Sequence, residues 1–176
     1  KRMLYIQSRA YRKQYVCNFV NLIPNNTYGL NDNYHLTNGH VIPSIIRKVY
    51  EAKKAKGLFV HLWGDGNVAR QFTFAEDMAD VIWWAVENYD HDSPLNVGNP
   101  REYGLKEVVQ TIVKCLDYNG EIVWDKSQPV GQIRKTMSTG KLNLTTYRQR
   151  WTSLEDGIKK TCQYFVNNYP NLRGIE

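Results

Sequence analysis

The stretch TNGHVIPSIIRKVYEAKKAKGLFVHLW, Thr37 to Trp63, holds two periodicities back to back. Ile42, Ile45, Ile46 and Val49 recur at i, i+3, i+4 and i+7. That spacing predicts an amphipathic helix from Val41 to about Lys56, with Pro43 in its first turn and Gly57 closing it. GLFVHLW then changes to a short apolar run with the chemistry of a strand. A helix that hands over to a strand in this way is the repeating step of an α/β fold, and the rest of the chain reads by the same alternation.

Upstream, RMLYIQSRAYRKQY (2–15) puts Leu4, Ser8, Tyr11 and Tyr15 on one helical stripe. YVCNFVNLIP reads as a buried strand ending at Pro24. NNTYGLNDN reads as a Gly/Asn loop leaving that strand's carboxyl end, where open α/β sheets bind their ligands. Downstream, FAEDMADVIWWAVENY carries Met78, Ile82, Ala85, Val86 and Tyr89 on one helical face, SPLNVGN is a short strand, and GLKEVVQTIVKCL is a helix. GEIVWD and RKTMS read as strands, and a last helix from Leu154 to about Asn168 opens on Ser153 with Asp156 in a capping-box-like position. The predicted class is α/β. Only fragments of the βαβ pattern are visible, so the chain is expected to be part of a larger protein.

With 42% hydrophobic residues, 12 Tyr and 5 Trp in 176 positions, the chain can build one core or two small lobes. No apolar run approaches the roughly 18 to 20 residues of a membrane span, and Lys-Arg-Met-Leu-Tyr at the start does not read as a signal peptide. A cytoplasmic location with no membrane partner is the expectation. Cys17, Cys115 and Cys162 are widely spaced, with no C-x-x-C pair, and read as reduced core thiols with no metal site. The formal charge of +6 suits a polyanionic partner. The cations are nevertheless scattered, with neither a basic stripe nor a recognition motif, so nucleic acid is not the expected partner.

Gly64, Gly66 and Ala69 in WGDGNVA satisfy G-x-G-x-x-A after a strand. A dinucleotide fingerprint needs a helix to open there so that free amides meet the pyrophosphate, and RQFTF is extended instead. The motif reads as a hairpin turn, and the residues alone show no cofactor cradle. Arg70 is open to three readings: a surface cation, a partner of Asp77 or Glu76, or a forked contact to phosphate. His40 at the mouth of the Val41 helix is either a surface residue or a proton-transfer group. His35, nearby in the loop, receives no role.

LIPNNTYGLNDNY, HVIPSIIRKVYEAK, WGDGNVARQFTFAEDMADV, LNVGN and GQIRKTMSTGKL occur in an order and spacing that resemble the GDP-L-fucose synthase family. These are extended short-chain dehydrogenase/reductases acting as 3,5-epimerases and 4-reductases on GDP-4-keto-6-deoxymannose. The resemblance covers essentially the whole chain. It implies a C-terminal substrate-binding portion, with 1–24 and about 93–116 as Rossmann-domain elements. Matching backwards puts Lys1 on the lysine of the Tyr-x-x-x-Lys motif. The tyrosine, its serine, the epimerase cysteine and the glycine-rich loop for NADP(H) would then lie upstream, leaving this portion inactive by itself.

The resemblance further implies that Lys1 binds the nicotinamide ribose and acts in catalysis, and that His40 is the epimerisation acid. Asn26, Lys48, Trp63, Arg70 and Lys135 would contact the GDP-sugar, Arg70 at the diphosphate. Ile133 stands where the family usually has proline in its P-R-K element. A homodimer built through the first helix is expected. The rival readings are another nucleotide-sugar epimerase, dehydratase or reductase of the same superfamily, and a non-catalytic basic interaction module.

Overall fold

The computed structural model describes residues 2–128, 130–148 and 150–175. In chain order its elements are α1 (Arg2–Tyr15), β1 (Leu22–Pro24), β2 (Asn26–Tyr28), α2 (Val41–Lys54), β3 (Phe59–Trp63), β4 (Ala69–Phe74) and α3 (Ala75–Asn88). They continue with β5 (Leu95–Val97), β6 (Glu102–Gly104), α4 (Leu105–Cys115), β7 (Glu121–Asp125), β8 (Arg134–Lys135), α5 (Gly140–Asn143) and α6 (Leu154–Asn168). The class is α/β, as the alternation of periods predicts.

The four apolar positions that set the helical spacing in α2 are at most 4% exposed. They meet Val108, Val109 and Ile112 of α4, Ile158 and Phe165 of α6, and Phe72 and Phe74 of β4 in the larger of two cores. Strand β4 organises the sheet beneath them. Its first half is flanked by β6, antiparallel from Ala69 to Gln71, and by β8, parallel at Ala69 and Arg70. Its second half lies beside β2 in parallel register, Asn26 opposite Phe72 and Tyr28 opposite Phe74. The smaller core joins Met78, Val81 and Ala85 of α3 to Leu95 and Val97 of β5, with Leu22 of β1 packed on it. The 93–116 segment therefore divides: β5 pairs with β1, whereas α4 packs with α2 and α6.

Four local expectations change. Asn26–Tyr28, read as part of a loop, is strand β2, drawn into the sheet by its parallel pairing with β4. The Gly64 to Ala69 segment is not a hairpin, because β3 pairs in parallel with β7 while β6 and β8 flank the first half of β4, leaving β4 no edge there for β3. It is a crossing between sheets, and the positive φ of Gly64 and Gly66, +85° and +73°, turns the chain there. The strand before Pro24 is confined to Leu22–Pro24, with Val16 left-handed at φ +54° just after α1. At the end of α2 the left-handed residue is Lys56, φ +53°, one position before the glycine expected to close the helix. Ser153 caps α6 as predicted, accepting the Asp156 amide at 3.1 Å. All three cysteines are free thiols, and burial pushes the Cys162 thiol up.

Buried Gly157 sits where α6 crosses Tyr28. A Cβ there would meet the Tyr28 Oη and come within 3.2 Å of Phe74 Cδ2, both in the tightest part of the larger core. In an exposed helix, Gly→Ala stabilises by about 1 kcal/mol through backbone entropy. Here overpacking reverses the sign: Gly157→Ala is expected to destabilise by about 1–3 kcal/mol, measured by urea denaturation.

Candidate functional site

A cleft of about 730 Å³ opens beside the first half of β4. Its walls come from four distant pieces of chain: residues 23–28, the mouth of α2 from His40 to Pro43, Arg70 to Phe72, and Lys135 to Met137. Asn26, His40, Arg70 and Lys135, separate in sequence, thus share one cavity. Ile23, Pro24, Val41 and Phe72 supply its apolar surface.

His40 reaches the cleft because α2 starts at Val41 and its preceding residue is held extended, φ −68° and ψ 164°. Its carbonyl accepts the Ser44 amide at 3.1 Å, while its side chain makes no cap bond. The imidazole is 82% exposed, with Nδ1 3.6 Å from an oxygen of Asp32, itself only 14% exposed. An accessible imidazole with a carboxylate behind it can give or take a proton towards the cleft.

Arg70 lies opposite Lys135 in the β4–β8 register, so two cations stand side by side. The Arg70 guanidinium is not paired with Asp77 or Glu76, as one of its three readings would have it. Asp77 accepts the Thr152 amide and hydroxyl, each at 2.7 Å, and Glu76 accepts from Lys160 at 3.0 Å. Arg70 Nη1 donates to the carbonyls of Ala69 at 2.7 Å and Ile133 at 3.4 Å, and Nη2 to that of Gln132 at 2.5 Å. Strand β8 is further held by Arg134, which forks onto Glu102 at 2.7 and 2.5 Å. That hydrogen bonding keeps the Glu102 carboxyl below the usual range. No Asp or Glu is among the described residues lining the cleft, so its positive charge is uncompensated there.

Lys48 and Trp63 lie outside this lining and beside each other. The Lys48 ammonium is 5.9 Å from the centre of the Trp63 ring and donates to the His61 carbonyl at 3.4 Å. Burial pulls its pKa down, while the Trp63 ring is 58% exposed. Lys1 lies outside the described residues.

Sequence reading passed over Gln71. It is 4% exposed, and its amide donates to the carbonyls of Pro100 at 3.0 Å and Met137 at 3.1 Å while accepting the Met137 amide at 2.9 Å. Beside it, Asn26 donates to the Gln71 carbonyl at 2.8 Å, and Thr73 donates to Asn25 at 2.6 Å and accepts the Asn99 amide at 2.8 Å. The signal was the alternation of Gln71 and Thr73 in a strand covered on both faces, where polar side chains must find partners.

Residues 1–98 match the NAD dependent epimerase/dehydratase family, and the chain belongs to that family. It is 38% identical to a GDP-L-fucose synthase from Dictyostelium discoideum over 98% of this chain and 54% of that protein. It is 39% identical to a GDP-L-colitose synthase from Yersinia pseudotuberculosis over 85% of this chain and 48% of that protein. Its backbone superposes with a TM-score of 0.94 and 32% identity on a GDP-L-fucose synthetase from Naegleria fowleri bound to NADP, across 98% of this chain and 56% of that one. The chain spans about half the length of these relatives, and the resemblance read from its motifs is borne out. Among the described residues, no helix is long and apolar enough to cross a membrane, and no cluster suited to a metal ion is present.

The described residues do not fit a dinucleotide cradle. After Gly64 and Gly66 the chain runs into strand β4, so no helix N-terminus faces those glycines.

Removing the Gln71 side chain strands the Met137 amide and two carbonyls. Gln71→Ala is expected to destabilise by roughly 1–3 kcal/mol and to abolish protection of the Met137 amide, read by denaturation and by hydrogen exchange.

Proposed function

We propose that the chain is the substrate-binding portion of a GDP-L-fucose synthase-like enzyme. The whole enzyme would epimerise GDP-4-keto-6-deoxymannose at C3 and C5 and reduce the 4-keto group, NADPH supplying the hydride. The observation that carries this reading is the cleft in which Arg70 and Lys135 stand together without a carboxylate while His40 opens onto the same space. Two cations suit a diphosphate, and an imidazole beyond them suits proton delivery to a sugar carbon next to a ketone.

In this reading, loss of the proton alpha to the carbonyl leaves an enolate, and His40 returns a proton to the opposite face, inverting that carbon. The base that removes the first proton is not among the residues gathered in the cleft. Asn26 would orient the sugar. Trp63 and Lys48 would meet the nucleotide beyond the diphosphate, in a part of the ligand long enough to leave the cleft. Lys1 would serve the nicotinamide ribose. Residues 1–24 together with β5 would belong to the dinucleotide-binding sheet, and reduction would require its remainder. A cytoplasmic location belongs to the same proposal.

Calorimetric titration tests the reading. GDP is expected to bind while UDP and NADPH do not, and Arg70→Ala and Arg70→Lys are each expected to weaken GDP at least about ten-fold, since neither keeps the planar fork. Equal binding of UDP would favour another nucleotide-sugar enzyme, and GDP affinity unchanged in Arg70→Ala would overturn the diphosphate assignment.

We also propose a homodimer through α1 and α3. Helix α1 has no buried residue, Met3, Leu4 and Ile6 are at least 50% exposed, and Ile82, Trp83 and Val86 on α3 are exposed as well. Leu4→Glu with Trp83→Glu is expected to convert a dimer to a monomer in sedimentation equilibrium.

A further inference from the structure

Five residues before His40, the His35 ring is folded back on its own loop. Its Nδ1 receives the Thr37 amide at 3.1 Å and the Asn38 amide at 3.0 Å, with the Thr37 hydroxyl at 3.2 Å. Backbone N–H groups can only donate, so Nδ1 must offer its lone pair and the ring proton must sit on Nε2. The loop closes around this arrangement: the Gly39 amide donates to the His35 carbonyl at 2.9 Å, and the His35 amide donates to Asn33 Oδ1 at 3.1 Å. A Cβ on Gly39 would meet the carbonyls of both Asn33 and His35, so the turn has no spare room.

We propose that His35 is a positioning residue whose unprotonated Nδ1 gathers the Thr37 and Asn38 amides into the turn that delivers His40 to the cleft. The side chain does the work of an Asx turn, in which a side-chain acceptor organises backbone amides two residues on. Asparagine carries Oδ1 at nearly the same distance from Cβ as histidine carries Nδ1, and Oδ1 accepts at every pH. Histidine differs in one respect. Protonation turns Nδ1 into a donor aimed at two donors, so the turn loosens in acid.

The charged groups of the packed elements are few. Asp32, on the same loop, faces His40. Arg47 of α2 is tied to Glu51 at 2.8 Å and to the carbonyls of Gly174 at 2.8 Å and Tyr34 at 3.3 Å. Arg173 belongs to the C-terminal turn, whose carbonyl accepts the Tyr34 amide at 2.9 Å. None of these accepts the Thr37 or Asn38 amide, both of which donate to the ring.

The consequence for catalysis rests on the reading of His40 as proton donor, but the loop is tested without it. In the isotopically labelled 176-residue chain, long-range nitrogen–proton spectra are expected to show His35 as the Nε2–H tautomer at about pH 8. Acidification until those spectra show the His35 ring doubly protonated is expected to speed exchange of the Thr37 and Asn38 amides roughly ten-fold beyond the intrinsic change, each losing one ordinary hydrogen bond. His35→Ala is expected to lose that protection at both pH values, and His35→Asn to keep it at both. An Nδ1–H tautomer in the unaltered chain, unchanged exchange in His35→Ala, or His35→Asn behaving like His35→Ala would each overturn the proposal. The tautomer is read without any variant. Should GDP fail to bind, the proposed function falls while these three readouts stand.

Discussion

The buried hydrogen bonds along β4 set the geometry on which the cleft depends. Gln71 and Thr73 are within 4% of complete burial, and each ties β4 to chain far away in sequence. Gln71 holds residues 100 and 137, and Thr73 holds Asn25 and Asn99. Apolar side chains could fill the same volume without desolvation, but they would not distinguish one register of the 135–137 segment from another. A polar group deprived of its partner in the interior loses on the order of 1–3 kcal/mol, so only the register that satisfies every donor and acceptor survives. That selection puts Lys135 beside Arg70.

The fold was legible where a single element carries its own periodicity. The stripe of Ile42, Ile45, Ile46 and Val49 sufficed for α2, and with it the location of His40 at a helix mouth. Pairing was less legible, because it depends on what lies beside a strand. WGDGN looks like a hairpin turn until β7 claims one flanking strand and β6 and β8 the other. Gln71 was hidden for the same reason: in isolation RQFTF is an ordinary half-polar strand, and only burial on both faces turns its amide into a structural tie.

The site itself was legible chiefly through the family's motifs. Asn26, His40, Arg70 and Lys135 share one cavity, and nothing in their spacing of 14, 30 and 65 residues would have joined them. Lys48, two turns along α2 from His40, lies outside the cleft lining and meets Trp63 on β3, which the family is expected to place at the nucleotide. The His35 ring, by contrast, accepts local backbone amides, a contact that no side-chain motif advertises.

The position of Arg70 illustrates why one residue type can serve fold and ligand together. A guanidinium has five N–H groups in one plane. Three are spent on the carbonyls of Ala69, Gln132 and Ile133, fixing the chain that leads into β8. Those bonds are made by Nη1 and Nη2, whereas Nε makes no hydrogen bond among those of the described residues, so the edge that runs from Nε to Nη2 is the one left for a ligand. That edge has the geometry for two parallel bonds to one phosphate group. A lysine could satisfy the loop or the phosphate, but its three donors diverge from a point and cannot present a flat edge to one while gripping the other. If the cleft receives a diphosphate, the cation that binds it is the one that holds β8 in place, so occupancy of the site and order in the Lys135 segment should rise together.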